Sequence, residues 1–572
     1  MSLPTATQAS VERGAGVEAN LGKTRVFNAE GGAAPPGVDV LGPDVWCGNL
    51  PPEQRGFVAL GVPIGHPDFV KAQAANRLDA EADLLRQLVQ LPDVQCAWLL
   101  LAFCAAPRAQ HLLRNVPPAD ILPYARGHDD AVWAVVEGLL GDQGPGEGED
   151  WAAARQVAFL PPSLGGLGLF AAERVSPAAY WAAWADALPV LRQRYPEAAA
   201  RLVQELEGEP AAPCLRAAAE AARQVTAEGW TSRPEWASCA RGADAPAAEG
   251  ELGLGNPGWQ RHAVLALHTS FRERVLLPAL APAARALLHS QSGPHAGMWL
   301  AAIPSDAAST LAPDLMHVAM RRRLRLPLPL TALHCGAEGR HGCGAEVDAY
   351  GDHHLACPRT GLLPRRGFVV ERAWVQVARE AVGPEGRVVP QQWLSRTTAP
   401  QVHPGDRRRL DFVVYGATSN GEALCCDATL VSPLTRAGRP VPGADAREGV
   451  ALVAARRRKV ARYPELTRGG PQRLVVLAAE VGGRWSDECQ QFLRTLLRLR
   501  VQRAPPPLRA AAAQGWARRW WSVLSVALQR AVASSALGVW TMPPLPGAPN
   551  ALPLGDVLDL AIASAPSRLP LR

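Results

Sequence analysis

The chain has little that would mark a secreted or membrane-spanning protein. Residues Met1–Gly32 lack the apolar stretch of a secretory leader. No run approaches the roughly 18 consecutive apolar residues of a membrane span. Trp98–Ala106 is apolar but short, and reads as part of a buried helix. The eleven cysteines follow no regular spacing, which argues against a disulfide framework. Free or metal-bound thiols in a reducing, intracellular compartment are expected. Neither sign of charge dominates, because 59 Lys and Arg against 53 Asp and Glu leave only +6. No internal repeat is evident, and outside one region no complete catalytic set can be assembled.

What remains is a globular composition, 48% hydrophobic and 20% charged. A chain of 572 residues is too long for one core, so two to four domains are expected. Residues 1–20 are polar and read as disordered. Residues 21–115 begin with a turn into a strand and the short strand Phe57–Gly65. A helical stretch follows, with one helix ended by Pro92. Residues 116–330 read as a helical linker with Pro-rich joints, a helix start at Ser176-Pro177, and a flexible acidic insert near 205–255. Residues 331–366 hold a Cys/His cluster. Residues 367–500 alternate helix, strands, helix, strand and helix, which implies an α/β domain with a mixed central sheet. Residues 501–572 form a Pro/Ala-rich tail with one amphipathic helix near Trp516–Val532. The fold class is thus multidomain α/β, mainly helical in its first half.

The chemistry concentrates at Asp411 in Arg-Arg-Leu-Asp-Phe-Val-Val-Tyr and at Asp427 in Ala-Leu-Cys-Cys-Asp-Ala-Thr-Leu-Val. Lys459 and Tyr463 follow in Lys-Val-Ala-Arg-Tyr. Asp427 and Thr429 share a strand face, and Lys459 and Tyr463 share a helix face. Hard Mg²⁺ takes carboxylate oxygens, and phosphodiester hydrolysis uses such an ion to activate water and stabilise developing charge. The plainer alternative is a set of strand-end acids paired with nearby arginines. Arg407, Arg408, Arg409, Arg456, Arg457 and Arg458 would hold a DNA backbone, or simply be solvated. Arg321–Arg323 forms a further basic run.

Cys335, Cys343, His353 and Cys357 offer three thiols and one imidazole within 23 residues, a donor set for tetrahedral zinc. His354 could replace His353, and Asp352, His354 or a backbone carbonyl could orient the ligand histidine. Free cysteines in a Gly-rich loop are the alternative. Trp516, Trp520 and Trp521 beside Arg518 and Arg519 could stack on bases, but such a stripe more often packs on a core.

The carboxylate segment resembles the restriction-enzyme-like endonuclease domain of non-LTR retrotransposons, a branch of the PD-(D/E)XK nucleases. Leu410-Asp411 stands at the family's Pro-Asp element. Asp427-Ala428-Thr429 stands at its Asp/Glu-X-Lys element without the lysine. That branch moves the lysine to a following helix as Lys-X-X-X-Tyr, matched by Lys459 to Tyr463. The resemblance implies an additional acid on the first helix. Glu371 and Glu380 are the candidates, Glu380 ranking first because it sits nearer the helix end. It also implies a zinc knuckle with a structural role, whose second half is similar to Gly351–Pro358. Leu21–Val26, Leu60–Gly65 and Pro161–Gly168 resemble reverse-transcriptase palm, primer-grip and thumb segments, in the family's order. No Asp precedes Lys23, so the paired palm aspartates are missing and no polymerase activity is expected. A truncated retroelement product is implied, with Mg²⁺-dependent target-DNA nicking, element RNA as a further partner, and a nuclear location.

Overall fold

The computed structural model describes residues 25–28, 31–42, 45–141, 149–242, 258–330, 333–337, 341–467 and 470–538. The expected disordered start, most of the palm-like Leu21–Val26 segment and the end of the tail lie outside these residues.

Phe57–Gly65 is a hairpin, β1 (Gly56–Ala59) antiparallel to β2 (Val62–Gly65). The turn at Leu60-Gly61 places both residues at positive φ. Helix α1 (Pro67–Leu88) starts with Pro at its first position, where no amide bond is lost. It stops ahead of Pro92, and Asp93 caps the next helix through the Cys96 amide at 2.9 Å. Among the described residues, one run, Val94–Asn115, is long and apolar enough to cross a membrane. Its N-terminal part is tied to the rest of the fold: Gln95 donates to the Ala302 and Ser309 carbonyls at 2.9 and 3.0 Å, and Trp98 to Leu300 at 2.9 Å.

Helix α2 (Pro118–Leu139) carries Asp129, whose carboxylate accepts from the Ala172 and Glu173 amides at 2.7 and 3.0 Å. That contact sets the start of α3 (Ala172–Arg194), four residues before the Ser176-Pro177 expected from sequence. A cap supplied by another helix has no local signature. The acidic insert is also more ordered than expected. Three helices, Pro196–Glu207, Pro213–Ala227 and Trp236–Ala240, pack with α3. Trp181, Trp230, Trp236 and Trp259 form the centre of that core. Residues 243–255, the end of the insert, lie outside the described residues.

The Arg321–Arg323 run ends α4 (Pro313–Arg323) and faces inward. Arg323 donates to the Gly166, Pro162 and Gln291 carbonyls at 2.8, 3.0 and 3.1 Å, fastening the Pro161–Gly168 loop. Glycine is required at 166, because a Cβ there would come within 2.0 Å of the Leu160 carbonyl. Arg322 and Arg325 pair with buried Asp352. This run is structural, and the paired backbone and carboxylate groups explain how guanidiniums tolerate burial.

The second half is built on a mixed sheet in the order β3 (Arg387–Pro390), β4 (Phe412–Tyr415), β5 (Ala423–Val431), β6 (Gln472–Glu480). The first two pairings are antiparallel and the last is parallel. Helix α5 (Leu362–Val382) covers one face. Helix α6 (Val450–Arg462) is the crossover between β5 and β6, and α7 (Asp487–Val501) flanks β6. The mixed sheet matches the sequence expectation. Strand termini move by one to two residues, which lies within ordinary boundary uncertainty.

Helix α8 (Arg509–Ala536) is a core element of both halves. Trp520 and Trp521 are fully buried, so neither can stack on a base. Trp516 is half-buried under Arg500 at 4.5 Å. Trp374, Trp485 and Trp521 meet edge to face or tilted, joining α5 and α8 into one core with the sheet.

Glu480 closes β6 at 2% exposure, beside Arg484 and Ser290, with Oε2 lacking a hydrogen-bond partner among the described residues. Burial pushes its carboxyl up to about 7. The folded state therefore holds this proton more tightly than the unfolded chain. That contribution is complete below the ordinary range and lost as pH rises through about 7. Glu480→Gln should raise the thermal midpoint at pH about 8, by roughly 1–2 kcal/mol of stability, and leave it unchanged near pH 5. An equal shift at both pH values would contradict this assignment.

Candidate active site and metal centre

The carboxylate pair follows from strand register. Phe412 lies opposite Cys426 and Val413 opposite Cys425. Continuing by one residue sets Asp411 opposite Asp427. Period-2 alternation then divides the faces. Phe412, Val414, Leu424 and Cys426 enter the main core with α5. Val413 and Cys425 enter a smaller core with Leu410 and Tyr463. Asp411 and Asp427 share this second face. Helix α6 packs there through Leu452 and Ala455 against Val476 and Ala478. Lys459 follows Ala455 by one turn, so it points to the same sheet face. Its Nζ meets Asp427 Oδ1 directly. Asp427 is 2% exposed, whereas the Lys459 side chain keeps 22%.

Tyr463 is fully buried just past α6, and its hydroxyl donates to the Arg409 carbonyl at 2.8 Å. Burial, then the Asp427 carboxylate, raises its phenol above the usual range. This side chain braces the segment leading into Asp411. Thr429 is half-buried on the same strand.

The two helix acids separate sharply. They are nine residues apart, which is half a revolution on an α-helix. Glu380 is held by Arg519 at 3.1 Å and by the Trp520 indole at 2.9 Å, tying α5 to α8 away from the strand acids. Glu371 faces the pair instead. Its carboxyl is raised by burial and by the Asp427 charge, against the Gln391 hydrogen bond and Arg409. Gln391 carries φ +53°, rare for a residue with a side chain. Its side chain donates to Glu371 Oε1, and its amide donates to the Asp411 carbonyl at 2.6 Å. One strained residue thus fixes two of the three acids.

Asp411 Oδ2 accepts from the Ala428 amide at 2.7 Å. Burial, then the charges of Asp427 and Glu371, pushes its carboxyl up to about 7, against that amide and Lys459. Lys459 meets Asp427 and acts on Asp411, while Arg409 and Arg372 act on Glu371, so three acids and three cations converge here. The acids of this cluster offer only oxygen donors.

The arginines differ in availability. Arg408 is committed to Asp406 and Glu465, at 2.7 and 2.6 Å. Arg409 is exposed above Trp393, 5.6 Å from the ring centre. Arg407, Arg457 and Arg458 are exposed, and exposed Arg456 pairs with Glu488.

A second centre lies at Cys335, Cys343, His353 and Cys357, whose donor atoms all fall within 4.8 Å of one another. Cys335 and Cys357 sulfurs are 4.0 Å apart, and Cys343 Sγ is 3.3 Å from His353 Nε2. Zn–S bonds of about 2.3 Å in a tetrahedron give S···S near ~3.8 Å, so the cluster can hold a metal such as zinc. His353 Nδ1 bonds the Arg436 carbonyl at 2.9 Å, which leaves Nε2 for the metal. His354 turns away and bonds the Ala536 carbonyl at 3.1 Å. Asp352 serves Arg322 and Arg325, and Asp348 caps the ligand helix through the Tyr350, Asp352 and His353 amides.

Gln391 had no signal in the sequence, because its role depends on a left-handed backbone and a pairing across the fold. The choice between Glu371 and Glu380 did have one, their half-turn offset. No protein-family model matches the chain, and no curated protein matches it.

Proposed function

We propose that this protein is a divalent-metal-dependent DNA endonuclease, with Mg²⁺ held by Asp411 and Asp427. The observation that carries this reading is the strand register that sets Asp411 beside Asp427 on one sheet face, with Lys459 on Asp427 and Glu371 close enough to raise the Asp411 carboxyl. When bound, Mg²⁺ supplies an activated water and offsets charge on the phosphoryl oxygens. Glu371 offers a third oxygen. Lys459, partly exposed at the mouth, neutralises the scissile phosphate and orients the attacking water. Tyr463 and Gln391 keep the acids in register. Arg407, Arg409, Arg457 and Arg458 take the DNA backbone. The motif order supports descent from a non-LTR retrotransposon protein, and the zinc knuckle places its neighbouring segments. Action on chromosomal DNA would place it in the nucleus.

One observation favours a second reading, a nucleic-acid-binding relic. The direct contact of Lys459 with Asp427 Oδ1 occupies a ligand oxygen with an ion pair. Cleavage rates of the whole chain on labelled duplex separate the two. The nuclease reading expects Asp427→Asn and Lys459→Ala each to lose at least about 10²-fold in rate with zinc content intact. Equal rates in both variants and the parent would refute it.

A further inference from the structure

Helix α6 has a second useful face. Arg456 and Val460, on either side of Lys459, line a cavity of about 610 Å³ with β6 and α7. β6 is an edge strand, and edges are normally covered or charged. Here Glu488 takes the Val476 amide at 2.7 Å and pairs with Arg456. Arg473 pairs with Glu422 at 3.3 Å. Arg494 and Arg498 also line the cavity, one turn apart on α7, exposed and with no acid partner among the described residues. Four guanidiniums therefore meet two carboxylates, and the surplus is on one wall.

We propose that this groove binds the phosphate backbone of duplex DNA beside the cleavage site, with Arg494 and Arg498 as its phosphate contacts. This rests on the reading of DNA as substrate. Charge complementarity selects a polyanion. Continuity selects the same duplex that enters the carboxylate site, because Arg456 and Lys459 are about 4.5 Å apart along one helix axis. A duplex presents a phosphate on each strand every ~3.4 Å of its axis. The groove therefore meets the first few base pairs on one side of the scissile bond. Arg494 and Arg498 are positioning residues here and do not touch the reacting phosphate.

The test is the salt dependence of whole-chain binding to a short duplex without Mg²⁺. Each lost phosphate contact removes about 0.9 from the slope of log K against log salt. Arg494→Ala with Arg498→Ala should lower the slope by about 2, and the Lys pair should restore it. Thermal midpoint and zinc content should stay unchanged, since both side chains are exposed. An unchanged slope, or a loss seen only with single-stranded DNA, overturns the groove. A reduced slope in a protein that never cleaves would keep the groove and reject the nuclease. Cleavage with an unchanged slope would do the reverse.

Discussion

Adding Mg²⁺ should raise the thermal midpoint by several degrees at pH about 8 and leave it unchanged at pH about 5. The reason lies at Asp411, whose carboxyl is pushed up to about 7 by burial and then by Asp427 and Glu371. A raised folded value means that the folded state holds the proton more tightly than the unfolded chain. The resulting stability is complete below the ordinary carboxylate range and is lost as pH rises through about 7. By that arithmetic the metal-free fold gives up roughly 4 kcal/mol between those limits. A cation that binds only the ionised cluster offsets this loss. At about 100 times its Kd it would add about 2.7 kcal/mol. Asp427→Asn should abolish the Mg²⁺ shift by removing one ligand charge and letting Asp411 fall toward its ordinary range. Lys459→Ala should enlarge the shift, because the competing cation is gone, while lowering the cleavage rate by about 10²–10³-fold. A lysine that served only as a structural partner would not split stability from rate in this way. Differential scanning fluorimetry across pH reads the first effect, and single-turnover cleavage reads the second.

The whole chain should carry one tightly bound zinc, and stripping it should cost far more than any single surface change. Structural zinc in small sites contributes about 10 kcal/mol or more of folding free energy. Here that energy is coupled outward. His353 ties the cluster to the Arg436 carbonyl, Asp352 ties it to α4 through Arg322 and Arg325, and Arg366 on α5 takes the Leu355 carbonyl. Loss of zinc should therefore loosen contacts in both halves and lower the midpoint by roughly 10 °C or more. His353→Ala should lose the metal. His354→Ala should keep it and only weaken the end of α8, where His354 meets the Ala536 carbonyl. Elemental analysis of the two variants distinguishes the histidines, and zinc retained by His353→Ala would contradict the assignment.

Much of the carboxylate domain was legible because its signals are local. The Val-Val-Tyr and Leu-Cys-Cys runs have strand character, and the Leu452, Ala455, Lys459 spacing gives α6 one face. The register that makes Asp411 and Asp427 neighbours follows from two short strands in a hairpin. Tertiary partners were not legible. Glu380 reads as a site acid until Arg519 and Trp520 are seen to hold it from 139 and 140 residues away. The Trp516–Trp521 stripe could serve bases or core, and only burial decides for the core. Arg321–Arg323 looks like a solvated or phosphate-binding run, yet distant carbonyls and Asp352 claim Arg322 and Arg323. The stretch after residue 205 hid its order because its acidic, Ala-, Gly- and Pro-rich composition reads as a solvated linker, although Pro213–Ala227 is amphipathic, and the tryptophans that anchor it are far apart in sequence.

The most direct test is incubation of the zinc-loaded whole chain with supercoiled plasmid, in Mg²⁺ or without it, beside the Asp411→Asn, Asp427→Asn double variant. Open-circular product is expected only from the parent chain and only with Mg²⁺. Equal nicking by the double variant, or none by a parent chain that binds the same DNA, would contradict the nuclease reading.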